Sequence, residues 1–252
     1  MCTICLAAGC THEHGAITSP PAIGGDEPEL AVAGREGDDP AEQGAGDPAP
    51  PGAAGAALLA EVDRQLAHMK SSTYAHHTHV DEAVGTFEYD CSGFLGYAAS
   101  RAAPDAWSAV VATTPRRPRS VEIVAFLQRI PVGSTSGRWQ RLGRIQDLAP
   151  GDVVVWVKPA DSRSTNTGHT VIVHGPVVAD PGQRGAFIVP VADSTEHPHV
   201  PGDARSAAHR TGLGLGEIVL VGDDAGAPIG YRWSRGQKSR EKSTTIALGR
   251  LR

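Results

Sequence analysis

Gly85-Thr-Phe-Glu-Tyr-Asp-Cys-Ser-Gly-Phe-Leu-Gly-Tyr-Ala-Ala-Ser100 is the stretch on which the reading of this chain turns. Its first half, Gly85 to Asp90, alternates aromatic and polar residues as an extended segment does, and its second half is small and apolar like a buried helix. The change falls at Asp90-Cys91-Ser92-Gly93, which sets Cys91 at a helix N-terminus. There the free backbone N–H groups and the helix dipole favour a thiolate over a thiol. An unassisted thiol, with a pKa of ~8.5, is mostly protonated at neutral pH, so a cysteine nucleophile needs such help.

The other three cysteines, Cys2, Cys5 and Cys10, crowd the extreme N-terminus. The remainder therefore carries one lone cysteine and no internal disulfide framework. A single cysteine with histidines elsewhere reads as a candidate nucleophile. The competing reading is a buried structural thiol, common for free cysteine. The flanking Asp90, Ser92 and Gly93 decide for the nucleophile.

Residues 1–56 are poor in aromatics and rich in Gly, Ala, Pro and acid, a composition that cannot bury enough apolar surface to offset its ordering entropy. We expect a flexible leader there and one folded domain over 57–252. Nine acids face the single base Arg35 in the leader, a net of −8 against −5 for the whole chain, so residues 57–252 are +3. That excess is too small to argue for nucleic acid. No stretch approaches the ~20 apolar residues of a membrane span. Leu6-Ala7-Ala8-Gly9-Cys10 resembles the lipobox of bacterial lipoproteins, in which the cysteine is acylated, although no basic region precedes it and the apolar run is short. The rival reading is a metal site built from Cys2, Cys5, Cys10, His12 and His14. An untethered leader with incidental cysteines is the third.

Ala53–Lys70 carries Leu58, Leu59, Val62, Leu66 and Met69 at the spacing of an amphipathic helix, and Ser120–Ile130 repeats the pattern with Ser120 as cap and Glu122 in the first turn. Residues 78–89 read as extended. Pro104–Pro118 reads as irregular, with Arg116, Arg117 and Arg119 on a solvated loop. Short Val/Ile-rich runs follow at Asp152–Val157, Thr167–His174, Phe187–Asp193, Glu217–Val221, Ile229–Trp233 and Thr244–Leu248, separated by Pro/Gly/Asp turn signals. Helices first and a meander of strands afterwards predicts an α+β domain with its helices packed on an antiparallel sheet.

A thiol nucleophile needs a base, and the base needs an orienting acceptor. Among the histidines, His169 stands out in Gly168-His169-Thr-Val-Ile-Val173, because glycine before a strand-opening histidine leaves room for a helix terminus. A hairpin turn centred on Pro181 sets Asp193 opposite His169 on the same sheet face, within ~5 Å. A slip of one residue brings Ser194 there, and of two brings Thr195. His174 falls on the other face and reads as structural. His197 and His199 read as surface loop, and His76, His77 and His79 have no fixed acidic or thiol partner, so no metal is assigned.

Asp90-Cys91-Ser92-Gly93-Phe94, then Pro150-Gly151-Asp152 opening a strand, then Gly168-His169 opening the next, resembles the NlpC family of papain-like cell-wall cysteine peptidases over about residues 74–195. The 78 residues from Cys91 to His169 exceed the spacing in compact members of that family, and the excess falls within Pro104–Trp139. The resemblance implies a papain-like fold and a Cys91–His169–Asp193 amidohydrolase, with Asp193 where many members carry histidine. Tyr74 corresponds to a cleft tyrosine, and a backbone N–H of Cys91 or Ser92 would stabilise the oxyanion. It implies peptidoglycan stem peptides or another amide-containing peptide as substrate, no cofactor, a monomer, and export to the cell envelope with Cys10 as the lipid anchor. An acyltransferase using the same triad, a non-catalytic cell-wall binding module and a cytoplasmic location are the alternatives.

Overall fold

A computed structural model describes residues 52–252, His209 and Gln237 excepted. Cys2, Cys5, Cys10, His12 and His14, and with them the lipobox and metal readings, lie outside the described residues. Among the described residues no helix is long and apolar enough to cross a membrane.

Helix α1, Ala53–His68, buries Leu58 and Val62 on one stripe, as its spacing predicts, and ends two residues earlier than expected. Three short strands follow: β1 (Ser71–Thr73), β2 (His79–Asp81) and β3 (Thr86–Glu88). They form a small sheet in which β3 pairs parallel with β1 and antiparallel with β2. The segment expected to be extended over 78–89 is thus a hairpin turned at Gly85, where φ is +76°. Helix α2, Cys91–Ala102, buries Phe94, Leu95, Ala98 and Ala99.

Two helical expectations need correction. Pro104–Pro118 is not irregular throughout, because Pro104–Val111 forms α3. Proline at the first position is pre-organised for a helix, Asp105 complements its dipole, and Trp107 and Val110 supply a buried stripe. Helix α4, Ser120–Gln128, is not capped by Ser120. The preceding residue is the cap: Glu122 Oε2 accepts from the Arg119 N–H at 3.0 Å, and Ser120 becomes the first helical residue, buried, with its hydroxyl turned inward.

The second half of the chain is strand, as the Val/Ile runs predict: β4 (Thr135–Ser136), β5 (Trp139–Leu142), β6 (Val153–Val157), β7 (Gly168–Val173), β8 (Val178–Ala179), β9 (Ala186–Thr195), β10 (Gly212–Gly222), β11 (Pro228–Arg232), β12 (Glu241–Ser243) and β13 (Ile246–Leu251). A four-residue helix, α5 (Ala204–Ala207), precedes β10. The order across the sheet is β12-β11-β10-β9-β7-β6-β13-β5-β4, with β8 on β9, and its pairings are antiparallel. The architecture is α+β with helices on an antiparallel sheet.

Both faces of that sheet are buried, which is why the strands read as continuous apolar runs. Val153, Val155, Ile172 and Ala247 face the helices, packing with Phe94, Leu95, Ile123 and Leu127. Val154, Trp156, Val171 and Val173 face a second core with Ile218, Leu220 and Tyr231. On a flat sheet β6 and β11 would lie ~19 Å apart at ~4.8 Å per strand. The rings of Trp156 and Tyr231 nevertheless meet with centroids 4.6 Å apart. The sheet is therefore coiled around its second core like an open barrel.

Candidate active site

Asp90 has extended backbone angles (φ −82°, ψ 179°) and caps α2, its Oδ1 accepting from the Gly93 N–H at 2.7 Å. Ser92 Oγ donates to the same oxygen at 2.9 Å, and Arg117 grips the carboxylate with Nη1 on Oδ1 at 2.8 Å and Nη2 on Oδ2 at 2.6 Å. Burial pushes the Asp90 carboxyl up, but the Arg117 and Gly93 hydrogen bonds outweigh it and hold it below its ordinary value. Arg117 is thus not a free loop residue; it locks the cap beneath the cysteine. The Ser92 hydroxyl is committed to this lock, so its backbone N–H is what it can offer an oxyanion.

Cys91 opens α2 and is 5% exposed. Its Sγ lies 3.8 Å from Ser120 Oγ, which is itself 3.0 Å from Thr170 Oγ1. These hydroxyls bring the start of α4 and strand β7 to the thiol, a contact that the expected capping role of Ser120 concealed. Gly168 explains how β7 comes so close. Its φ is +155°, a Cβ there would collide with the Trp156 carbonyl on β6, and it would stand 3.1 Å from Ser120 Cβ. Room for a helix terminus is what the glycine supplies, though the helix is α4.

His169 Nε2 lies 2.6 Å from Asp193 Oδ2, in a buried contact. With Nε2 donating to the carboxylate, Nδ1 is the nitrogen left for the thiol. Burial alone would lower the imidazole's pKa. The negative charge of Cys91 and the hydrogen bond to Asp193 overcome it and carry the ring up to about 10. Asp193 is fully buried, which by itself would raise its carboxyl, yet His199, His169 and Arg205 hold it well below its ordinary value.

The register that led to Asp193 needs correction. β7 and β9 pair Ile172 with Ala192 and Val173 with Val191, so continuing the ladder sets Thr195, not Asp193, opposite His169. A two-residue slip keeps the face, and the diagonal neighbour remains within reach of an imidazole. Ser194 points to the opposite side and donates to the Tyr89 carbonyl at 2.6 Å.

His199 is not a surface residue: it is fully buried, with Nε2 3.0 Å from Asp193 Oδ2 and Nδ1 2.6 Å from the Trp233 carbonyl. Arg205 donates from Nη2 to Asp193 Oδ1 at 2.8 Å and also holds Asp203. Sequence reasoning missed both residues: Asp203 is a local partner of Arg205, two residues before it, but nothing in the sequence shows that the loop after β9 folds back to set His199 and Arg205 on Asp193. His174 instead meets Asp63 at 2.8 Å, away from this cluster. His76 and His77 stand 3.8 and 3.5 Å from Asp90 and Glu88.

Tyr74 does border the cleft, and its hydroxyl accepts from Asn166 Nδ2 at 3.3 Å. Burial and the nearby charges of Cys91 and Asp90 push its phenol up, so it stays a neutral hydrogen-bonding group. Two depressions of about 330 Å³ each meet at Tyr74, Asn166 and Gly168. One opens on Cys91, Arg117 and Arg119, the other on His169, Trp156, Trp233 and Lys158.

His169, Asp193 and His199 also form a group whose ligand atoms lie within 4.8 Å of one another, the criterion a metal site would meet. The details favour protons. Ligand atoms ~2.0–2.1 Å from a tetrahedral zinc lie ~3.3 Å apart, whereas His169 and Asp193 are 2.6 Å apart. Arg205 already places a cation on the same carboxylate. No protein-family model, curated protein or solved structure matches this chain.

Proposed function

We propose that this protein is a thiol amidohydrolase with Cys91 as nucleophile, His169 as base and Asp193 as orienting acceptor. The observation that carries the reading is the buried set of a helix-start cysteine, a histidine at the opening of β7, and a carboxylate 2.6 Å from that histidine's Nε2. A helix bearing the thiol, packed on a coiled antiparallel sheet bearing the base, supports a papain-like fold and membership of the NlpC family.

In this reading the Cys91 thiolate attacks an amide carbonyl, and the first-turn N–H groups of Cys91 and Ser92 receive the developing oxyanion. Asp90 takes the N–H of Gly93, which leaves those two outside its capping bonds. His169 Nδ1–H then protonates the departing amine, and the thioester forms. Water, deprotonated by the same nitrogen, releases the acid and restores the thiol. Asp193 keeps Nε2 protonated throughout, so that Nδ1 always faces the reaction.

The substrate we propose is a peptide of the bacterial wall stem, with Lys158 on the cleft wall suiting its anionic groups; Arg117 and Arg119 at the other depression are paired with Asp90 and Glu122. Purified muropeptides incubated with the protein should give new fragments by mass spectrometry, and Cys91→Ala should give none. Fragments that persist in a folded Cys91→Ala protein would remove the mechanism. Acyl transfer is the second reading. Trp156, Tyr231 and Trp233 wall the depression beside His169, and an apolar wall slows water's attack on a thioester. Adding an amine and finding it joined to the acyl fragment would favour transfer.

A further inference from the structure

His199 faces two acceptors at once. Its Nδ1 lies 2.6 Å from the Trp233 carbonyl, which can only accept, so that nitrogen carries a proton. Its Nε2 lies 3.0 Å from Asp193 Oδ2, on a carboxylate whose other oxygen is paired with Arg205 at 2.8 Å and which therefore accepts here too. Satisfying both contacts needs a proton on each nitrogen. The ring has no freedom to turn away: it lies against Trp233 with centroids 4.3 Å apart and planes at 32°. Its other side abuts Gly216, where a Cβ would come within 2.7 Å of its Cδ2. The backbone N–H of His199 is tied to Asp203 Oδ2 at 2.8 Å.

The charges around it call for the same proton. Asp193, Asp203 and Arg205 are buried together, two anions and one cation. Cys91 and His169 form a second, self-balancing couple when the thiolate is present. A doubly protonated His199 makes the inner group neutral without drawing on His169.

We infer that His199 is a positioning residue that supplies a standing positive charge to Asp193, so that the proton on His169 is free to move to a leaving group. Its role in turnover rests on the thiol-hydrolase reading; the charge arrangement does not. Without His199, Asp193 would hold the His169 proton more tightly, because one repelling cation is gone. The two rings are 6.4 Å apart, and at an effective dielectric of ~20 a unit charge at that distance moves a neighbour by about two pH units.

The test is nitrogen-15 NMR of the histidines in Cys91→Ala protein, where no thiolate complicates the titration. His199 should show two protonated ring nitrogens at pH 8. In Cys91→Ala/His199→Gln, His169 should lose its proton about one to two pH units higher. A singly protonated His199 at pH 8 overturns the inference, and so does a His169 titration that is unchanged or moves down. If the double variant does not fold, the first measurement still decides. Neither readout needs substrate, so failure of Cys91 to react with iodoacetamide would sink the hydrolase reading while leaving the charge measurement intact.

Discussion

Replacing Asp193 probes the centre of the site, and its cost can be worked from the contacts. The side chain is fully buried and accepts from Arg205 on one oxygen and from His169 and His199 on the other. Alanine leaves the Nε2 donors of His169 and His199 without their acceptor and takes one of two carboxylates from Arg205, which keeps Asp203. Removing one partner of a buried ion pair typically costs ~3–5 kcal/mol, against a total stability of ~5–15 kcal/mol for a domain. Asp193→Ala should therefore lose about 3–5 kcal/mol, a large share of the total. Asparagine keeps one oxygen, which Arg205 can retain, but turns an N–H₂ group towards two imidazoles, one of which must give up its proton. Asp193→Asn should be less damaging than alanine by about 1–3 kcal/mol, roughly one rescued buried hydrogen bond. Urea unfolding at pH 7, followed by tryptophan fluorescence, measures both, since Trp156 and Trp233 sit beside His169. An alanine variant within ~1 kcal/mol of the native protein would refute the reasoning, because the two imidazole donors must then have other partners.

Gly168→Ala forces a methyl into the Trp156 carbonyl, so backbone strain and overpacking should together cost about 2–5 kcal/mol; a native-like urea midpoint would show that β7 can shift without penalty. Arg117→Met should cost about 1–2 kcal/mol, less than a fully buried pair because Arg117 is partly open to water. It should also slow iodoacetamide labelling of Cys91 by loosening the cap, and unchanged labelling would detach Arg117 from the thiol. The His169 pKa is raised to about 10 from an unfolded value of ~6.5, so its stabilisation is complete below pH ~6.5 and fades as pH climbs to about 10. Asp193 is depressed, so its contribution is complete above an unfolded value of ~3.9 and is lost only as acid titrates its folded form. The melting-temperature gap between native protein and His169→Ala should accordingly shrink from pH 6.5 to 10, and a constant gap would deny the imidazolium its partners. If Cys10 is the lipid anchor expected from the sequence, the native protein should partition with membranes and Cys10→Ala should release it; soluble native protein, or stoichiometric metal held by residues 1–14, would favour the rival readings.

The helix start at Cys91 was legible because capping is local: Asp90 and Gly93 lie three residues apart, and small residues follow. His169 was legible for a similar reason, since Gly168 announces a close backbone approach. Asp193 was reached on a wrong register. The hairpin is interrupted by β8, which pairs with β9 in its own register, Val178 with Ile188, so the turn does not carry a single ladder back to β7. Face parity survived the error, and parity was what the contact needed. The Arg117 clamp was hidden because its partner Asp90 lies 27 residues away, whereas His199 and Arg205 lie only 6 and 12 residues from Asp193 and were hidden because the loop after β9 folds back on it with no periodic signature. The coiling of the sheet was equally invisible: the apolar runs say that both faces are covered, but not that one of them is covered by the sheet itself.

Strand β13 pairs with β6 on one side and β5 on the other, at Ile246 with Trp156 and Leu248 with Leu142. During synthesis the roughly 90 residues between Val157 and Ile246 take about 4–18 s to emerge at ~5–20 residues per second. Cys91 is outside the ribosome from the start of that interval, and His169 and Asp193 follow 12 and 36 residues after Val157, while the facing edges of β5 and β6 wait unpaired. A reactive thiol would thus be held on an open scaffold until β13 slots in between two earlier strands. The order of translation delays assembly of the nucleophile's surroundings, and nascent chains stalled before Ile246 would expose two sticky strand edges to chaperones.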